Sequence, residues 1–252
     1  MPRYARRKCD TGIFHIMLRG INKQTIFEDD EDKDRFLDTI ERFKSVSKYE
    51  IYGFCLMCNH VHLLLKETEE PISVAIKRIC SSYVYWYNRK YERCGHLFQE
   101  RYKSETVENN AYLMTVLRYI HQNPVKAGLS RSVRDYMWSS YNEYIRKPSV
   151  TDTGFVLQLY SDNSKKAVDL LITHTNEQND EKCLEYEDKT RLSDAEVREY
   201  FIKLGLQNSS DIQKMRRDER NNAIRQVKAV KGVTIRQISR ITGISKSVIA
   251  RV

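Results

Sequence analysis

The alternation of apolar and polar positions divides the first 130 residues into strands and helices. Ile13–Arg19, within "TGIFHIMLR", is a short apolar run punctuated by Gly12 and Gly20, and it predicts a strand. Across residues 29–48, Phe36, Ile40 and Phe43 recur near helical spacing, and acidic side chains crowd the start, where the helix dipole favours them. That stretch predicts an amphipathic helix. Glu50–Met57 and residues 60–67 read as two strands, and only Cys58 and Asn59 separate them, so a tight hairpin is expected. Pro71 opens a second helix over 72–91, with Ile76, Ile79, Tyr83 and Trp86 on one stripe. A fourth strand follows around 101–107. A third helix spans 109–124, capped by Asn109 or Asn110 and ended by Pro124. The order β-α-β-β-α-β-α predicts an α+β fold, a mostly antiparallel sheet with helices on one face.

Beyond residue 148 the pattern becomes all-helical. Residues 148–210 read as an acidic connector of short helices, and Ser193 with Glu196 three residues later forms a capping-box signature. In "VTIRQISRITGISKSVIARV" (233–252), Ile235, Ile238 and Ile241 mark a short helix. Gly243-Ile244-Ser245 makes a turn, and Ser245 or Ser247 caps a second helix. This is the helix-turn-helix pattern, with Lys246, Ser247 and Arg251 presented to a DNA major groove. Three regions are therefore expected: 1–147, 148–210 and 211–252.

Charge sharpens that division. The 252 residues carry a net charge of +9. Residues 151–210 hold 7 basic and 12 acidic side chains, whereas residues 211–252 hold 11 basic and 3 acidic ones. Two basic blocks flanking an acidic segment point to a polyanionic partner. No run of eighteen apolar residues occurs, so no membrane partner is expected. The basic start lacks the apolar stretch of a secretory signal, and six scattered cysteines suit a reducing compartment, so the cytoplasm is expected. Cys80 and Cys94 read as small apolar fillers. Cys55-x-x-Cys58 lacks a second ligand pair at zinc-finger spacing.

Chemistry concentrates in "CNHVHLLL" (58–65). Side chains two apart on a strand share a face, so His60 and His62 stand side by side, an arrangement that suits a divalent ion. Of the sixteen tyrosines, Tyr119 alone has an Asn, Gln, His, Asp or Glu at i+4, namely Asn123, which shares its helix face. His121 lies about 200° around that helix from Tyr119, and is expected at the surface or on a phosphate. His15, on the first strand, reads as a core or edge residue.

His60-Val61-His62 with its flanking "CLMCN" and "LLL" resembles the histidine-hydrophobic-histidine motif of the HUH single-strand DNA nucleases. "GHLFQERYKS" and "LRYIHQNPVKAGL" resemble the single-tyrosine transposase branch, closest to the REP-associated tyrosine transposases. The resemblance covers roughly residues 1–145. It implies a ferredoxin-like domain that binds Mg2+ or Mn2+ through His60, His62 and Asn123. It also implies that Tyr119 is the nucleophile in nicking and strand transfer through a 5′-phosphotyrosine. The implied substrate is single-stranded or hairpin DNA, contacted by Lys77, Arg78, Arg89, Arg101 and Lys103. Monomer and homodimer both remain open. The rival expectation is a non-catalytic DNA-binding regulator that keeps the fold.

Overall fold

Four strands carry the first part of the chain: β1 (Ile13–Arg19), β2 (Glu50–Met57), β3 (His60–Lys66) and β4 (Lys103–Thr106). They form one antiparallel sheet in the order β2-β3-β1-β4. The computed structural model describes residues 9–99, 101–178, 183–184, 192–206 and 208–252. Met57 pairs with His60 across the two-residue turn, as the hairpin reading requires. β4 is shorter than expected because it is a half-buried edge strand with no apolar alternation to mark its limits.

Register assigns each side chain to a face. Met17 lies opposite His62 and His15 opposite Leu64, so residues 13, 15 and 17 share a face with 60, 62 and 64. The other face holds Phe14, Ile16, Leu18, Val61, Leu63 and Leu65 in one core with α1 (Asp30–Ser47) and α2 (Ile72–Lys90). The expected one-sided cover describes these two helices. The His62 face is covered in turn by α3 (Asn110–Lys126), whose Leu113, Val116, Leu117 and Ile120 pack with Ile13, Tyr52, Cys55 and Leu64.

Local signals set the helix limits. Asp29 and Asp32 form a capping box at the start of α1, and Lys48 closes it in the left-handed region at φ 57°. Lys90, in the last turn of α2, reaches Asp29 and Glu31 at 2.8 Å and Asp32 at 2.9 Å, tying the two helix ends together. Asn109 is the cap of α3, accepting from the Tyr112 N–H at 2.8 Å. Pro124 does not end this helix, which continues to Lys126. The proline ring is buried, and its missing N–H costs only the bond to the Ile120 carbonyl, so packing carries the helix two residues further. β2 bulges at its pairing with β3 near Gly53. A Cβ at Gly53 would come within 2.6 Å of Leu117 Cδ1, so glycine lets α3 seat closely on the sheet.

The chain divides into two compact units, 1–185 and 186–252. The acidic segment is shared between them rather than standing alone. α4 (Tyr141–Ile145), α5 (Thr153–Tyr160) and α6 (Ser164–Asn176) belong to the first unit, where Tyr144, Val156 and Leu171 join the α3 core. α7 (Asp194–Lys203) and α8 (Ser209–Lys214) belong to the second, with α9 (Arg217–Ala229), α10 (Ile235–Thr242) and α11 (Lys246–Arg251). That unit packs around Val197, Phe201, Ile212, Ile224, Ile238 and Ile249. Gly243, at φ 73°, closes α10, and a Cβ there would meet the Gln213 side chain at 2.5 Å. Ser245 is the cap residue of α11. Among the described residues, no helix is long and apolar enough to cross a membrane.

Candidate active site

β3 sorts its residues between core and site by alternation alone. Val61, Leu63 and Leu65 face α1 and α2, while His60 and His62 face α3. The His60 and His62 rings lie 5.1 Å apart between centroids. Tyr119, on the α3 turn above them, places its ring 5.6 Å from His62 and 5.9 Å from His15. One turn on, the Asn123 amide Nδ2 lies 3.2 Å from His62 Nε2. Tyr119 and Asn123 thus both meet His62 within one chain, in keeping with their i+4 spacing.

The site is mostly dry. His15 and His62 are buried, as is Tyr119, and His60 is half-buried. Burial pushes the His15 pKa down to about 3. It also holds His62 well below its ordinary value, with the neighbouring His15 and His60 adding to the effect. Neutral imidazoles with an available lone pair are the form that binds metals.

Among the described residues, no three His, Cys, Asp or Glu side chains gather closely enough to hold an ion by themselves. A metal here needs the amide. The Asn123 amide presents its Nδ2 to His62 Nε2 at 3.2 Å, and would have to turn its oxygen inward to serve as a ligand. The donor set of two imidazoles and an amide leaves positions for water or a phosphate oxygen.

The sequence of this sheet-and-helix unit carries a recognisable family pattern. Residues 9–123 match the IS200-like transposase family. A curated Haemophilus influenzae protein bearing the name REP-associated tyrosine transposase is 25% identical over 145 residues, spanning 50% of this chain and 82% of that relative. Among solved structures, a REP-associated tyrosine transposase bound to a REP hairpin superposes with a TM-score of 0.50 at 19% identity. The match covers 62% of this chain and 93% of that one, and the likeness is one of fold. The resemblance read from the histidine and tyrosine motifs is borne out, and a transposase-like role in DNA processing is supported.

The expected DNA contacts fall in three places. Lys103, on β4 opposite Met17, lies on the histidine face, and exposed Arg101 precedes it. Lys77, Arg78 and Arg89 lie on α2, in the layer across the sheet. Lys77 and Arg89 are exposed, whereas Arg78 is engaged by Glu70 and Ser47. Lys246, Ser247 and Arg251 are exposed on α11 of the second unit.

Two expectations are corrected. His121 is not at the surface: it is fully buried, hydrogen-bonded to Ser140 Oγ at 2.8 Å and packed against Tyr141 and Tyr144. The helical angle was right, but α3 is enclosed on that side by the segment after it. Cys94 is exposed rather than a filler, and Cys80 is partly buried.

Four further neighbours of the site emerge, of which sequence reasoning places only His15, as a core or edge residue of the first strand that could approach it. His15 Nε2 lies 2.9 Å from His62 Nδ1, and Glu105 Oε2 lies 4.0 Å from His15 Nδ1. Asn59 Oδ1 accepts from His60 Nδ1 at 2.7 Å. Lys126 Nζ lies 5.7 Å from the Tyr119 ring centroid. The last had a local signal, since seven residues is two helical turns. His15 and Glu105 depended on strand register, which no local pattern reveals.

Proposed function

We propose that the first unit is a metal-dependent single-strand DNA nickase and strand transferase of the HUH type, with Tyr119 as nucleophile. The observation that carries the reading is the meeting of the Tyr119 ring, His62 and the Asn123 amide on one side of the sheet. His60, His62 and Asn123 would hold Mg2+ or Mn2+. When bound, such an ion supplies positive charge to the scissile phosphate. Tyr119 Oη attacks phosphorus; the new O–P bond forms as the P–O3′ bond breaks. The phenolic proton leaves to solvent, and the 3′ oxygen takes a proton to become a 3′-OH. The resulting 5′-phosphotyrosine keeps a phosphodiester-like bond, so transfer to another strand needs no ATP.

Surrounding groups favour this chemistry. The Lys126 ammonium, 5.7 Å from the Tyr119 ring centroid, adds positive charge beside the proposed phosphate position. Lys103 lies on the same side, and it and exposed Arg101 just before it suit a DNA backbone, single-stranded or hairpin. Because α3 packs on its own sheet, the reading has Tyr119 acting within one chain. The basic 211–252 segment, with exposed Lys246 and Arg251, suits a second DNA contact of the helix-turn-helix type.

The test is a nicking assay on hairpin-bearing DNA with Mg2+ or Mn2+. The wild type is expected to form a covalent adduct, and Tyr119→Phe to bind DNA without forming one. Normal adduct formation by Tyr119→Phe would overturn the nucleophile assignment. A wild type that binds DNA but never nicks it under either ion would favour the regulator instead.

A further inference from the structure

The hydrogen bonds around His62 run in one direction. An amide nitrogen can only donate, so Asn123 Nδ2 at 3.2 Å makes His62 Nε2 an acceptor. A neutral imidazole with Nε2 as acceptor carries its proton on Nδ1. That proton points to His15 Nε2, 2.9 Å away, which must then accept. The proton of His15 is consequently on its Nδ1, which is buried and has no hydrogen-bond partner. Facing it at 4.0 Å is Glu105 Oε2, likewise buried without a partner. Strand register enforces the line: Glu105 pairs with His15 on adjacent strands, and His15 and His62 share a face of neighbouring ones.

We infer that Glu105 and His15 are positioning residues that set the tautomer of His62, holding its proton on Nδ1 and turning the Nε2 lone pair toward Asn123 and Tyr119. Glu105 orients His15 by charge and, after a small side-chain movement, by a direct hydrogen bond. His15 then fixes the ring plane and tautomer of His62. Neither residue touches substrate or the reacting atoms. His15 is fully buried and Glu105 is partly exposed, with its Oε2 turned inward, which suits a histidine and a carboxylate as the outer members. His15 can accept on one ring nitrogen while donating from the other, and only an acceptor suits the far end. The inference rests on the metal reading above for its consequence, but its tautomer claim stands without a metal.

Two readouts on the full chain separate those parts. Long-range 1H–15N spectra of the metal-free protein with 15N-labelled histidine report which nitrogen of each imidazole is protonated. His62 is expected to be protonated on Nδ1 in the wild type. Mn2+ titration followed by electron paramagnetic resonance gives the affinity. Loss of an outer hydrogen-bond partner typically weakens a metal site about 10–100-fold. His15→Phe is expected to lose that much, His15→Gln to recover part of it through its amide oxygen, and Glu105→Leu to show a smaller loss in the same direction. Glu105→Leu keeps the inference testable should the His15 variants not fold. A wild-type His62 protonated on Nε2 overturns the relay, as does unchanged Mn2+ affinity in both His15→Phe and Glu105→Leu. A wild type that binds no Mn2+ overturns the metal reading, and the nitrogen spectra still decide the tautomer.

Discussion

The two faces of the four-stranded sheet are built from the same strands, yet one is apolar throughout and the other mixes an apolar core with buried polar groups. Toward α1 and α2, β1 and β3 present Phe14, Ile16, Leu18, Val61, Leu63 and Leu65, a purely apolar surface. Toward α3, the alternate positions include His15, His60 and His62, and β4 adds Lys103 and Glu105. The contrast teaches how a small domain can hold neutral imidazoles in a dry site without losing its fold. The apolar face supplies hydrophobic stabilisation, and the opposite face is free to bury polar groups whose partners are other polar groups. A shift of one residue in the register of β3 would exchange the two faces, so the tight hairpin at Cys58 and Asn59 is as necessary to the site as the histidines.

The contrast breaks most visibly under paired substitutions. Leu63→Ala leaves a cavity on the apolar face and is expected to cost about 2–5 kcal/mol of unfolding free energy, with Mn2+ affinity of the folded protein unchanged. His60→Ala, at a half-buried position, is expected to weaken Mn2+ binding strongly, leaving His62 as the one imidazole ligand, while moving the denaturation midpoint little. Denaturant melts and metal titrations on both variants check this. A Leu63→Ala protein that melts normally but loses the metal would invert the assignment of faces.

Acid probes the α3 side next. His121, buried against Tyr141 and Tyr144, has its pKa pushed down from 6.5 to about 3 by burial. A depressed histidine favours the folded state fully above pH 6.5 and loses that contribution as pH falls toward 3, because only the unfolded chain takes up the proton. The slope is about 1.4 kcal/mol per pH unit for one such group. Urea melts between pH 7 and 4.5 are expected to show a slope to which buried His15 and His62 also contribute, and His121→Gln to lower it by one group's share. Equal slopes in both proteins would remove His121 from the account.

Smaller changes sharpen how α3 is held. Gly53→Ala forces a methyl group toward Leu117 Cδ1, and overpacking of that kind costs about 1–3 kcal/mol. Because Leu117 lies two residues before Tyr119, adduct formation is expected to fall more than stability does. Asn109→Ala removes the cap on the first turn of α3 and is expected to cost about 1 kcal/mol, without effect on metal binding at the far end of the helix.

Much of this was legible in the chain. Ile13–Arg19 and Glu50–Met57 were readable to the residue because glycines, apolar runs and the two-residue turn all agree. His60, His62, Tyr119 and Asn123 were readable because each pair is fixed by a local period, two on a strand and four on a helix. What escaped is non-local. The contact of His15 with His62 depends on the β1–β3 register, and the burial of His121 depends on which later segments fold over α3. Pro124 misled for a different reason: a proline near a helix end loses little, so buried packing can override the local rule.

The account stands or falls on whether two imidazoles of one strand share a cation. Electron spin-echo spectroscopy of Mn2+ bound to protein labelled with 15N-histidine counts coordinated imidazoles directly. Two are predicted for the wild type and one each for His60→Ala and His62→Ala. A wild-type spectrum with no coupled histidine nitrogen at saturating Mn2+ would contradict it.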